Sequence, residues 1–246
     1  MSSSLRITYV VEPDPAALAW RAALHLVELI EEAVAARGRA RVAVSGGSTP
    51  KATFALLADP HHPFVNRMPW DRLELFFVDE RTVPPDHPDS NYRMTREALL
   101  DKVGMKPEQI HRMQGELEPE VAAAEYEFDL RRTFRLEGAE APRFDIVTLG
   151  MGDDGHTASL FPGSPELDHA LTGEALSAAA TAPVPPHPRM TLTLTALLRS
   201  RLLILQLGGE AKRAVYRQAL EDGPVEQLPV RALLRQSQVP VEVWLH

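Results

Sequence analysis

The 246-residue chain carries 26 Lys and Arg against 34 Asp and Glu, a formal net charge of −8, with 44% hydrophobic, 24% charged and 6% aromatic residues and no cysteine. That length suits one large α/β domain or two small ones, and the acidic balance argues against nucleic acid or an anionic membrane as a general partner. Without cysteine there are no disulfides, no iron–sulfur ligation and no thiol catalysis, and an anionic substrate has to be held by a few local cations and backbone amides.

The opening MSSSLRITYVVEPD lacks a charged segment leading into a long apolar core, so no secretory signal is expected. No apolar run approaches the ~20 residues of a membrane span, and the expected location is cytoplasmic. Residues 5–11 read as a first strand. Over 16–36, Leu18, Ala22, Leu26, Leu29 and Ala33 recur at steps of three and four, which predicts a helix with one apolar stripe.

A second strand, 41–44, runs into SGGSTP. Gly46 and Gly47 allow a tight turn after Ser45, and Thr49-Pro50 reads as an N-cap followed by proline at the first helical position. A strand–turn–helix of this kind aims free N–H groups and the hydroxyls of Ser48 and Thr49 at one point, which suits an anion. The G-x-x-x-x-G-K-[ST] spacing of a Walker loop is absent. His61 and His62, in DPHHPF, read as surface residues.

The next strand, 73–78, ends in Asp79-Glu80-Arg81, where Arg81 can clamp a phosphate through two parallel N–H bonds. The same three charges also fit a solvated strand end with Ser90-Asn91 as a helix cap. Residues 82–90 are proline-rich and read as a shaped loop. A helix over 120–134 is predicted to turn Val121, Ala124 and Phe128 inward.

Strand 144–149 leads into GMGDDGH. Its glycines permit positive φ and close approach of a ligand. His156 is the one ordinary side chain there that titrates near neutrality, which suits general acid–base work, and Asp153 or Asp154 could fix its tautomer. Residues 182–188 form a second proline-rich loop. Strand 201–207 then leads through Gly208-Gly209 into a helix over 211–220 that carries Lys212 in its first turn, a helix N-terminus beside a cation. Val241–Leu245 is the last strand. No ligand-spaced pair of side chains points to a metal, and no G-x-S-x-G elbow points to a serine hydrolase.

Alternating strands and helices predict an α/β fold: one doubly wound, three-layer α/β/α domain over 1–246, Rossmann-like, with a mostly parallel sheet. Ligands in such sheets bind at the carboxyl ends of strands, where all four motifs fall.

Together SGGSTP, VDER…DSNY and LGMGDDGHTASLFPGS resemble the 6-phosphogluconolactonase family, whose relatives are the glucosamine-6-phosphate deaminases, in the group of sugar-phosphate isomerase-like folds. The resemblance runs from about residue 42 to 215. It implies hydrolysis of 6-phospho-D-glucono-1,5-lactone to 6-phosphogluconate, the second step of the oxidative pentose phosphate pathway, with no metal or cofactor. It further implies a small-molecule partner only, and a monomer or small homo-oligomer.

By position, Gly46, Gly47, Ser48 and Thr49, with Ser45 before them, match the family's phosphate loop. Arg81 and Lys212 match its cationic contacts, and His156 its catalytic histidine. Asp154 is expected to orient the imidazole, with Asp79, at the substrate edge, a second candidate; spacing admits Asp153 as well. Arg189 falls where the family has an arginine after a proline run; a second basic residue is usual there, and this chain has Pro188 instead.

The amino-sugar deaminases resemble the chain at Asp154-Gly155-His156 but continue into Asn-Glu-Pro, where the glutamate assists ring opening. Here that register reads Leu160-Phe161-Pro162, which favours the lactonase. A sugar-phosphate sensor on the same fold is a third reading, against which the retained His156 stands.

Overall fold

Short β-rich runs extend and the periodic segments coil. The computed structural model describes residues 7–138 and 140–246. Its strands are β1 Thr8–Val11, β2 Ala40–Val44, β3 Leu73–Phe77, β4 Asp79–Arg81, β5 Ile110–His111, β6 Ile146–Gly150, β7 Ser177–Thr181, β8 Pro188–Leu192, β9 Leu203–Leu207 and β10 Val241–Leu245. Its α-helices are α1 Pro15–Arg37, α2 Ser48–Leu57, α3 Phe64–Arg67, α4 Asn91–Ala98, α5 Pro119–Phe134, α6 Leu167–Thr172, α7 Leu194–Leu197, α8 Glu210–Leu220 and α9 Arg231–Arg235. Of the expected first strand, Leu5 and Arg6 lie outside the described residues. No helix among the described residues is long and apolar enough to cross a membrane.

Seven strands form one sheet in the order β1-β10-β9-β6-β2-β3-β5, and every pairing in it is parallel. From β2 the chain proceeds to β3 on one side, whereas from β6 it proceeds to β9 on the other. The carboxyl ends of β2 and β6 therefore flank a switch point, where two neighbouring loops diverge and leave a crevice. This is the α/β architecture read from the sequence.

A second sheet, β4-β8-β7, is antiparallel and was not expected. It takes the DER triplet, expected at a strand end, and pairs it with Arg189, Met190 and Thr191 of β8. The proline loop 182–188 closes the β7–β8 hairpin, where Ala182 N–H donates to His187 O at 2.7 Å.

Side chains alternate across the main sheet, so neighbours face opposite layers. Phe76, Ala43, Val147 and Leu205 pack with α5, α7 and the small sheet, while Phe77, Val42, Ile146 and Ile204 pack with α1 and α2. The helix α1 is capped by Asp14, whose carboxylate accepts from Ala16 N and Ala17 N at 2.9 Å, and it ends at Gly38 with φ 77°. Its buried stripe contains Leu18, Ala22, Leu26 and Ala33, with Ile30 turned inward in place of Leu29.

The helix α5 presents a different face from the one expected. Val121, Ala124 and Phe128 are exposed, and Ala122, Ala123, Tyr126 and Leu130 are buried. The Tyr126 hydroxyl decides this face: it donates to Phe77 O at 2.8 Å and accepts from Phe77 N–H at 3.0 Å. Two buried alanines let the helix approach β7 closely, and Ser177 Oγ there donates to Ala123 O.

Candidate active site

Four strand ends supply the site. After β2, Gly47 takes φ 115° and is itself the N-cap of α2. The cap thus falls two residues before the expected Thr49 and the helix begins at Ser48, because glycine reaches that conformation without strain. Ser45 Oγ is buried and has no hydrogen-bond partner among the described residues. Gly46 is pressed against Asn91: a Cβ there would lie 1.8 Å from Asn91 Oδ1.

The DER triplet divides its labour. Asp79 faces the site, where its carboxylate accepts from Ser159 Oγ at 2.8 Å and from Asn91 Nδ2 at 3.2 Å. Glu80 turns away and is 2% exposed. It accepts from Arg81 N–H, Asn91 N–H, Tyr92 N–H and Ser90 Oγ at 2.7–3.0 Å, tying the start of α4 to β4. Burial raises its carboxyl pKa above the ordinary value, against the lowering effect of those four donors. Ser90 caps α4 by accepting from Arg93 N–H at 3.0 Å, and the Arg81 guanidinium donates to Asp89 O at the rim.

The loop after β6 is folded on itself. Gly152 N–H donates to His156 O at 2.9 Å and Gly155 N–H to Gly152 O at 3.0 Å. His156 Nδ1 lies 2.5 Å from Asp154 Oδ1, and the same oxygen accepts from His156 N–H at 3.1 Å. Burial raises the Asp154 pKa, but the hydrogen bond and charge of His156 outweigh it and leave the carboxyl below its ordinary value. A Cβ on Gly152 would sit 2.1 Å from His156 Cε1, so only glycine leaves room for the ring. Behind the imidazole is Phe161, 5% exposed, with ring centres 4.5 Å apart and planes tilted by 48°.

These loops and the first turn of α8 enclose a cavity of about 250 Å³ lined by Ser45, Gly46, Gly47, Asp79, Arg81, His156 and Lys212, together with Asn91, Gly150, Met151, Gly152 and Ala158. Seven of the residues singled out from the sequence therefore meet, with Asp154 behind His156. Ser48 and Thr49 do not line the cavity; Ser48 is exposed in the first turn of α2, and Thr49 O accepts from Thr53 Oγ1 at 3.2 Å. Their placement follows from the helix starting two residues early, which puts both inside its first turn.

Arg189 is also outside the lining. It pairs in register with Arg81 across β4 and β8, is 6% exposed, and donates to Pro186 O. Burial first, then the charge of Arg81, pulls its pKa down to about 10. Asp79 contacts Ser159 and Asn91, not His156, and Asp153 has no bond to the ring among the described residues, so the imidazole's partner is Asp154.

Asn91 and Ser159 went unremarked as site groups in the sequence. Their signal was their place inside the DSNY and TASLF runs. Among the described residues no three His, Asp or Glu side chains are grouped to hold a metal ion.

Residues 13–243 match the family model for glucosamine-6-phosphate isomerases/6-phosphogluconolactonase. A 6-phosphogluconolactonase of Synechocystis sp. is 37% identical over 228 residues, covering 92% of this chain and 89% of that one. One from Rhizobium meliloti is 36% identical, covering 94% and 95%. The crystal structure of a 6-phosphogluconolactonase from Shewanella baltica superposes with a TM-score of 0.85 at 37% identity, over 98% of each chain.

Proposed function

This chain belongs to the glucosamine-6-phosphate isomerase/6-phosphogluconolactonase family, and from that premise we propose that it hydrolyses 6-phospho-D-glucono-1,5-lactone to 6-phospho-D-gluconate. The observation that carries this reading is the ring of Phe161 against His156. Isomerising or deaminating an amino sugar needs a second acid–base group beside the histidine, whereas hydrolysis of an activated ester needs one. Phe161 offers no proton.

The substrate's phosphate docks on the Gly46–Gly47 backbone between Arg81 and Lys212, the two cations that line the cavity. Charge-assisted bonds from these groups fix the lactone ring against the His156 loop. With Nδ1–H directed at Asp154, the imidazole keeps its lone pair on Nε2. That nitrogen takes a proton from water as the water oxygen bonds to C1. The imidazolium then returns the proton to the ring oxygen as the C1–O bond breaks, so one residue serves both half-steps.

Asp154, ionised because its pKa is depressed, stabilises the transient imidazolium. The N–H groups of Gly152, Gly155 and His156 are already engaged, so the charge developing on the carbonyl oxygen is met by other donors than these three.

The decisive assay supplies freshly prepared lactone and, separately, glucosamine 6-phosphate. Turnover of the lactone with none of the amino sugar is expected. Release of ammonia from the amino sugar with no acceleration of lactone opening would reverse the assignment to the deaminase.

A further inference from the structure

A second charged cleft lies at the opposite end of the sheet. Arg37 from the end of α1, Arg39 and Arg41 at the start of β2, Arg143 before β6 and Arg201 before β9 share one cavity of about 390 Å³. These residues stand at the amino ends of strands whose carboxyl ends build the lactone site, about five residues of strand or roughly 16 Å away.

Five guanidinium groups there face two carboxylates. Arg37 and Arg201 converge on one oxygen, Asp145 Oδ1, at 2.8 and 3.2 Å. Arg39 and Arg41 share Glu74 at 2.7 and 2.6 Å. Arg143 is exposed and has no carboxylate within ion-pair distance among the described residues. Although Arg201 Nε approaches Asp145, it has no hydrogen-bond partner among the described residues and is buried. Burial first, then the charges of Arg143 and Arg37, holds the Arg201 pKa below its usual value. On a chain of net charge −8, this is a local excess of cations with unspent donors.

A larger cavity of about 680 Å³ adjoins it through the shared residues Leu136, Ala141 and Arg143, and adds Glu140, Leu198, Arg199, Ser200 and Gln238 to the wall. Guanidinium forks match tetrahedral phosphate oxygens in pairs, and the mixed wall next door, with Leu136, Ala141 and Leu198 beside the polar Ser200 and Gln238, suits a polar organic moiety.

We propose that this cleft binds an organic di- or triphosphate, with the phosphates among Arg37, Arg39, Arg143 and Arg201 and the organic part along Leu136, Ala141 and Leu198. The site is separate from the lactone site and does not rest on the hydrolase reading.

Isothermal titration of the full chain with ADP at low salt tests this, with inorganic phosphate at matched ionic strength as the comparison. ADP is expected to bind at least tenfold more tightly than phosphate. Arg143→Gln is expected to weaken ADP about tenfold while leaving lactone turnover unchanged, because that side chain is exposed, bonds to none of the carboxylates and is absent from the lactone cavity. Arg39→Gln, which leaves both Asp145 pairs intact, serves as a second variant with the same expected loss. Equal affinity for ADP and phosphate, unaltered ADP binding in both variants, or displacement of ADP by saturating 6-phosphogluconate would each overturn the assignment.

Discussion

His156 meets the cavity with one ring nitrogen held by Asp154 and the other open, and its ring rests on Phe161. Replacing it with alanine removes the proton carrier and its contact with Phe161 at the cavity wall, but leaves both apolar core layers intact. His156→Ala is therefore expected to lower kcat by about 10²–10⁴-fold with the circular dichroism spectrum unchanged; near-normal turnover would remove His156 from the chemistry. Arg81 sits at the rim and contributes charge to binding, so Arg81→Ala should raise KM for the lactone far more than it lowers kcat. A KM equal to that of the unaltered enzyme would show that the phosphate docks elsewhere. At this scale the sequence showed which residue types sit at ligand-facing strand ends. It could not show that Asn91 fills the space left by Gly46, or that Ser159 reaches Asp79 80 residues away, because such contacts exist only once distant loops have met.

The clasp on Glu80 is a matter of elements, since it holds the α4 N-terminus to β4 and so sets where Asn91 and Asp79 stand. Glu80→Gln replaces one acceptor oxygen with an NH₂ that faces N–H donors, and each donor left unmatched costs about 1–3 kcal/mol. Because burial raises the carboxyl's pKa in the folded state, the folded protein binds this proton more readily than the unfolded chain. Its contribution to stability is complete below the ordinary glutamate pKa and declines as pH rises through the raised one. Urea titrations at several pH values should thus show the stability difference between the parent and Glu80→Gln narrowing as pH climbs through that window; a difference that widened there would contradict a raised pKa.

The inner main-sheet strands β2, β3, β6 and β9 were legible because they are buried on both faces and read as continuous apolar runs. Four strands gave no such signal, β5 because it is only two residues long. The stretch SAAAT of β7 has the composition of a helix or loop, β8 begins at a proline, and β4 is made of charges. The pairing of β4 with β8 joins residues about a hundred positions apart, such as Asp79 and Thr191, and depends on that meeting rather than on local propensity. The inward face of α5 failed for a related reason, because a tyrosine hydroxyl bonded to Phe77 outweighs the burial of Val121 and Phe128.

One sheet serves both apolar layers, and from this we propose that the chain unfolds as a single cooperative domain. Phe76 and Phe77 are successive residues of β3, exposed by 0% and 1%, yet they fill opposite layers. All three tryptophans report on one of these: Trp244 belongs to the Phe77 layer, Trp70 packs against it, and Trp20 lies 5.8 Å from Phe64 within it. Phe76→Ala opens a cavity in the other layer and should cost about 3–5 kcal/mol. In a chain that unfolds as one unit, that loss must shift the tryptophan fluorescence transition by as much as the far-ultraviolet circular dichroism transition, although no tryptophan touches the altered layer. Phe77→Ala should shift both in the same way. If Phe76→Ala moved the circular dichroism midpoint and left the fluorescence midpoint in place, the two layers would be unfolding separately, and the strands they share would not be the cooperative link between them.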